Sequence, residues 1–187
     1  MTVVLVILAL LIIVFIVSLV RIRNSIIGLR NHCEEAWGNI DAQLTRRHDL
    51  VPNLVETVKG YASHETEAFE KVAVARADAM TARGTRQSAR SEQQLTAALA
   101  DLRAVTENYP ELRATENFRQ LSSNLSEVER QIQVSRDAYN AGVQAYNTKI
   151  QIFPNSIVAK MGNFEPKNFF EVEDLSDLEP VEVNLGD

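Results

Sequence analysis

Hydrophobic positions dominate the chain from the start. Val3–Val20 carries no charge, no Pro and no Gly, and Ser18 is its only polar side chain. Eighteen helical residues rise ~27 Å, close to the ~30 Å hydrocarbon core of a bilayer. Beyond Val20 the pattern changes from continuous to periodic. Leu19, Ile22, Ile26, Leu29, Cys33, Trp37, Ile40, Leu44, Val51, Leu54 and Val58 recur at steps of three and four, and Arg47 takes the step between Leu44 and Val51. This is the stripe of one helix face. It predicts one helix that leaves the membrane and continues to about Gly60, a C-terminal signal. Pro52 lies inside it and removes the amide that would reach the His48 carbonyl, which predicts a kink.

Further elements follow from the same pattern. A helix over about 64–82 has Ser63 as its N-cap and buries Phe69, Val72, Ala75 or Arg76, Ala79 and Met80. Residues 83–90 read as a loop. Ser91 with Gln94 matches a capping box, so a third helix is placed at about 92–108, burying Leu95, Ala98, Leu99, Leu102 and Val105. The fourth helix, about 113–153, carries the longest stripe. It runs through Phe118, Leu121, Leu125, Val128, Ile132, Ser135, Tyr139, Gly142 or Val143, Tyr146, Ile150 and Phe153, and ends at Pro154.

The expected fold class is all-α: an N-terminal transmembrane helix continuing into a long antiparallel four-helix bundle or coiled-coil domain. The segments are an anchor (1–20), a bundle (21–153), an irregular Phe-containing stretch (154–170) and an acidic tail (171–187). Two long helices and two short ones leave the membrane-proximal halves of the first and fourth without cover. Other copies are expected to supply it, which makes Ile22, Ile26, Leu29, Tyr139, Gly142 and Tyr146 the self-association residues. Residues 154–170 are expected at the membrane interface or against a neighbouring subunit. Paired Asn140 and Asn147 either set register between chains or are simply solvated.

Charge adds a topology. The net −6 falls entirely in residues 154–187, and residues 1–153 balance 17 basic against 17 acidic side chains. No basic stripe points to nucleic acid. Arg21, Arg23 and Arg30 follow the span and no Lys or Arg precedes it. The positive-inside rule then expects the N-terminus outside and the domain in the cytoplasm, at an inner membrane. The flanks and the length of the apolar core fit an uncleaved anchor better than a signal peptide. Cys33 is the single Cys, which excludes a disulfide framework within the chain.

Candidate chemistry is sparse. Arg46-Arg47-His48-Asp49, ahead of Pro52, is the densest polar cluster. An antiparallel count places Glu127 and Glu129 beside Arg46 and Arg47. An ion pair fixing helix register is the expected role of Arg46, Arg47, Asp49, Pro52, Glu127 and Glu129. An anion or headgroup site is the alternative. No Glu-x-x-His pair precedes His32, His48 or His64, and no Gly-rich phosphate loop occurs. No catalytic residue, metal or cofactor is assigned, and the protein is read as non-enzymatic.

Several segments resemble the LemA family of bacterial membrane-anchored proteins: Glu35-Ala36-Trp37, Arg46 through Tyr61 (RRHDLVPNLVETVKGY), Tyr109-Pro110-Glu111-Leu112-Arg113-Ala114, Tyr139-Asn140, Tyr146-Asn147 and Phe153-Pro154. The likeness covers about residues 20–170, with His48 where an aromatic is expected. It implies an anchor followed by a helical bundle and no established catalytic residue. A magnetosome-associated relative implies a role in organising membranes. Two functions are therefore expected: a self-associating membrane scaffold in contact with lipid, or an adaptor that docks a signalling, proteolytic or transport partner through its acidic tail or its bundle.

Overall fold

The computed structural model describes residues 1–171; the acidic tail expected at 171–187 lies, but for Glu171, outside the described residues. Six helices and no strand occur among the described residues. They are α1 (Thr2–Lys59), α2 (Thr66–Thr81), α3 (Thr85–Thr106), α4 (Pro110–Ala114), α5 (Glu116–Gln151) and α6 (Asn155–Met161). Helix α1 is unbroken over 58 residues. Its first stretch is long and apolar enough to cross a membrane, and none of that window is buried by the rest of the chain.

Beyond the span, α1 buries the expected stripe: Ile26, Cys33, Ile40, Leu44, Arg47, Val51, Leu54 and Val58. Two cores line up along it. The outer one joins Val51, Leu54 and Val58 to Phe69 and Val72 of α2, Leu95, Leu99 and Leu102 of α3, and Leu125 of α5. The inner one joins Ile26, Cys33 and Ile40 to Val128, Tyr139, Val143, Tyr146 and Ile150 of α5, and to Val158, Ala159 and Phe170. Burying each large apolar side chain contributes ~1.5–3 kcal/mol, so the α1–α5 seam is held along its whole length.

Pro52 sits within α1 without a rupture in its helical run. The carbonyl it deprives, His48 O, accepts instead from Arg76 Nε of α2 at 2.7 Å. A buried carbonyl needs such a substitute partner.

Four boundaries differ from the sequence expectation. Helix α3 starts seven residues early, after Gly84 at φ +77°, a left-handed conformation that favours glycine. Ser91 is therefore inside α3, donating to the Gln87 and Ser88 carbonyls, and caps nothing. The residue before α2 is Glu65 and not Ser63, and Met80 is half exposed. Thr115 interrupts the fourth helix, separating α4 from α5, and caps α5 by accepting from the Phe118 amide at 3.4 Å.

The fourth difference bears most on function. Residues 155–161 form a helix, α6, where an irregular stretch was expected. It ends in a Schellman turn: the Phe164 amide donates to Ala159 O, the Asn163 amide to Lys160 O, and Asn163 takes φ +51°. The chain then runs back along α5 as an extended strap over residues 164–170. That strap and α6 cover the inner seam within the same chain.

Candidate functional site

Two constellations carry the polar chemistry of the bundle. The first is the clasp on the strap. Tyr139-Asn140 and Tyr146-Asn147 are two turns apart on α5, so their side chains repeat on one face every ~10.5 Å. Three extended residues span ~10 Å, and the strap uses that match. Tyr146 Oη donates to Glu165 O at 3.0 Å, and Tyr139 Oη to Asn168 O at 2.9 Å. Asn147 donates to Lys167 O and accepts from the Lys167 amide, both at 2.9 Å. Asn140 treats Phe170 the same way, at 3.5 and 2.9 Å. Each carboxamide thus stands in for a neighbouring β-strand residue. Phe170, 4% exposed, anchors the end against Trp37, whose ring also meets Tyr139, both at 5.6 Å between centroids. Arg30 lies over the Phe164 ring and Lys167 reaches Glu34 at 3.5 Å. Burial pushes both phenols up, and the Cys33 thiol too, so Cys33 is protonated and serves as core.

The residues expected to mediate self-association lie in this same core. Ile26, Tyr139, Gly142 and Tyr146 are buried inside one chain, and Ile22 and Leu29 are half-buried in the same core. A Cβ on Gly142 would meet Cys33 Sγ at 3.5 Å, so the close approach it permits is between α1 and α5. The sequence shows two apolar stripes but not the seven-residue helix and strap that close them. The paired Tyr-Asn steps were the signal, and they hold the strap of the same chain.

The second constellation surrounds Arg47. Its guanidinium donates to Thr96 Oγ1 at 2.7 Å and to Glu92 O at 3.3 Å, and lies 3.6 Å from Glu92 Oε2. His48 Nε2 meets Glu92 Oε1 at 2.6 Å. Arg47, His48 and Glu92 are all buried. Burial lowers the Arg47 pKa, while Glu92 and then Glu129 raise it again. Arg47 Nε and Glu92 Oε2 have no hydrogen-bond partner among the described residues. An open cavity of about 520 Å³ adjoins the pair, bordered by Gln93, Glu129, Gln133, Arg136 and Glu171.

The buried partner of Arg47 is therefore Glu92, which sequence reasoning missed. Glu127 is exposed and bonded to Arg130 and Gln131 of its own helix, which hold its pKa down to about 2. Glu129 is half-buried near Arg47, and Arg46 and Asp49 are exposed. Glu92 had a signal: Ser88, Ser91, Glu92, Leu95, Leu99 and Leu102 continue one stripe, hidden because the helix was started at Ser91. The arrangement fixes α1 to α3 electrostatically, and the side chain paired with His48 is the Glu92 carboxylate. Among the described residues no group of three or more His, Cys, Asp or Glu is placed to hold a metal.

A helix whose first stretch is long and apolar enough to cross a membrane, and whose remainder is sheathed by its own chain, defines a helical bundle with a candidate anchor. Residues 36–185 match the LemA family, and the chain belongs to it. Among curated relatives it is 23% identical to Magnetosome protein MamQ 2 of Paramagnetospirillum magneticum, over 93% of this chain and 74% of the relative. It is 24% identical to Protein LemA of Metamycoplasma hominis, over 88% of this chain and 74% of that protein. Magnetosome protein MamQ of Magnetospirillum gryphiswaldense is 21% identical, over 87% and 70%. None of these names states a reaction. The apolar helix and these relatives together indicate a membrane protein.

Proposed function

We propose that the protein is a non-enzymatic, single-pass scaffold of a bacterial inner membrane. Its N-terminus lies outside, its bundle stands in the cytoplasm, and several copies assemble side by side. The observation that carries this reading is the continuity of α1. One helix passes from the apolar span through both cores to Lys59, so the bundle is a stiff post fixed to its own anchor. Arg21, Arg23 and Arg30 support the orientation. Relatives named for the magnetosome support an organising role at a bacterial membrane. Because α6 and the strap occupy the inner seam, copies meet through their anchors and outer faces, not through Ile26 or Tyr146. The test is the mass of the full chain in gentle detergent. Several copies per particle are expected, and a single copy overturns the assembly.

A second reading, an adaptor, is favoured by one observation. The outer hairpin of α2 and α3 carries an open groove of about 540 Å³ with Val74, 62% exposed, beside Ala97. Its rim holds Glu67, Glu70, Asp78 and Asp101 against Lys71. That balance suits a basic amphipathic helix of a partner. A fluorophore on V74C would respond saturably to such a peptide and lose the response in E70K/D101K. A flat titration defeats the adaptor.

A further inference from the structure

The end of the bundle nearest the span presents an apolar face that is exposed among the described residues. Phe153 is 80% exposed, Met161 78%, Ile157 51% and Ile152 48%. These residues share the outer side of α6 and its approach, while Asn155, Val158 and Ala159 form the inner side. Exposed large apolar groups on a short, well-packed helix mark a surface with a partner.

The position of α6 identifies the partner. Val158, Met161 and Gly162 line a cleft with Leu19, Val20 and Arg23, the last turn of the span and the first turn beyond it. A helix docked there lies at the height where α1 leaves the hydrocarbon. Charge agrees. Residues 1–33 contain no Asp or Glu, and neither do residues 138–164. The cations in these two segments are Arg21, Arg23, Arg30, Lys149 and Lys160. Cations within a Debye length, about 8–10 Å, of an anionic leaflet are attracted to it. An apolar face rimmed by Lys and Arg is the pattern of an interfacial helix.

We propose that α6 is a second membrane contact. Ile152, Phe153, Ile157 and Met161 enter the interfacial layer of an anionic leaflet beside the exit of α1, with Lys149 and Lys160 on its headgroups. This rests on the reading of α1 as a membrane anchor. Two contacts would fix the tilt of the post, and the inserted α6 would occupy area in one leaflet only.

Brominated-lipid quenching tests it in the full chain, reconstituted in phosphatidylcholine vesicles with and without phosphatidylglycerol. In a W37F background, single tryptophans are placed by F153W, by V14W within the span and by V74W on the outer hairpin. Strong quenching of V14W and F153W by shallow bromines, and little of V74W, is expected. F153W quenching should fall without phosphatidylglycerol and in K149Q/K160Q, while V14W does not change. Quenching of V14W with F153W no greater than V74W overturns the proposal and leaves the anchor standing. F153W emission that shifts with protein-to-lipid ratio but ignores bromine assigns the face to a second copy and overturns it too. Equal F153W quenching in neutral and anionic vesicles refutes the charge preference. Failure of V14W to quench removes the anchor and this proposal together. A nitroxide on M161C, read by its accessibility to oxygen against an aqueous relaxant, repeats the test without touching Trp37.

Discussion

Replacing Asn147 by Ala should release the strap while leaving the helices intact. The side chain makes two hydrogen bonds to one residue, donating to Lys167 O and accepting from the Lys167 amide. Each contributes ~0.5–1.5 kcal/mol net, so their joint loss costs ~1–3 kcal/mol. The site is half-buried, so water can reach the freed groups and the lower half of that range is expected. Phe170 still anchors the far end through burial and its contact with Trp37, worth ~2–4 kcal/mol together. Asn140 still holds the Phe170 amide. The strap should therefore open more often but not detach permanently. Native-state hydrogen exchange reads this directly. In N147A the Lys167 amide should exchange ~10-fold faster, since ~1.4 kcal/mol is one decade, and the Val143 amide within α5 should not change. N147D separates the two bonds. Its carboxylate still accepts from the Lys167 amide but repels the Lys167 carbonyl, so Lys167 should keep some of its protection. Unchanged Lys167 exchange in N147A, or equal acceleration at Val143, would refute the clasp.

Other consequences are equally concrete. E92A leaves the Arg47 guanidinium buried without its carboxylate, and the urea midpoint should drop by the equivalent of ~3–5 kcal/mol; a loss under ~1 kcal/mol would mean the pair is solvated. R76A strands the His48 carbonyl and should cost ~1–3 kcal/mol, but P52A supplies a new amide to that carbonyl, so R76A should cost clearly less in the P52A background. Additive losses in that cycle would show that Arg76 does not replace the missing helix bond. Glu127 should titrate near 2 by carboxyl NMR because Arg130 and Gln131 hydrogen-bond its charged form. Its pKa lies below the ordinary 4.5 when folded, so this local support is complete above about 4.5 and is lost as pH falls through about 2. A midpoint near 4.5 would show the contacts do not persist.

The helices were legible where apolar residues repeat without interruption. Ile26 to Val58 on α1 and Leu125 to Ile150 on α5 are buried along the stripes that periodicity marked. Boundaries failed where polar residues are buried. Ser88, Ser91 and Glu92 belong to the inner face of α3, and polarity concealed it until Arg47 supplied the reason. Arg47 itself was legible as a polar intruder on an apolar stripe, but its partner was not. A register count between α1 and α5 pointed to Glu127 and Glu129, whereas α3 reaches the same level of α1 and offers a buried carboxylate. Helix α6 was missed because seven residues give barely two turns of pattern, and only the Gly162-Asn163 stop reveals its end. The strap has no periodicity of its own. Its register is written on α5, in the spacing of Tyr139-Asn140 and Tyr146-Asn147. Without the strap the seam looks bare, and that bareness directed the expected assembly to residues the chain covers itself. I26D or Y146D would therefore unfold the inner core rather than separate one copy from another.

In the proposed scaffold one stiff helix carries the bundle from the bilayer to its outer end. Nitroxide pairs on R23C and N53C, both exposed on α1, measure it in the full chain embedded in lipid. Thirty helical residues separate them, so a narrow distance distribution centred near ~45 Å is predicted. A broad distribution, or one centred well short of that value, would show a jointed α1 and contradict the account.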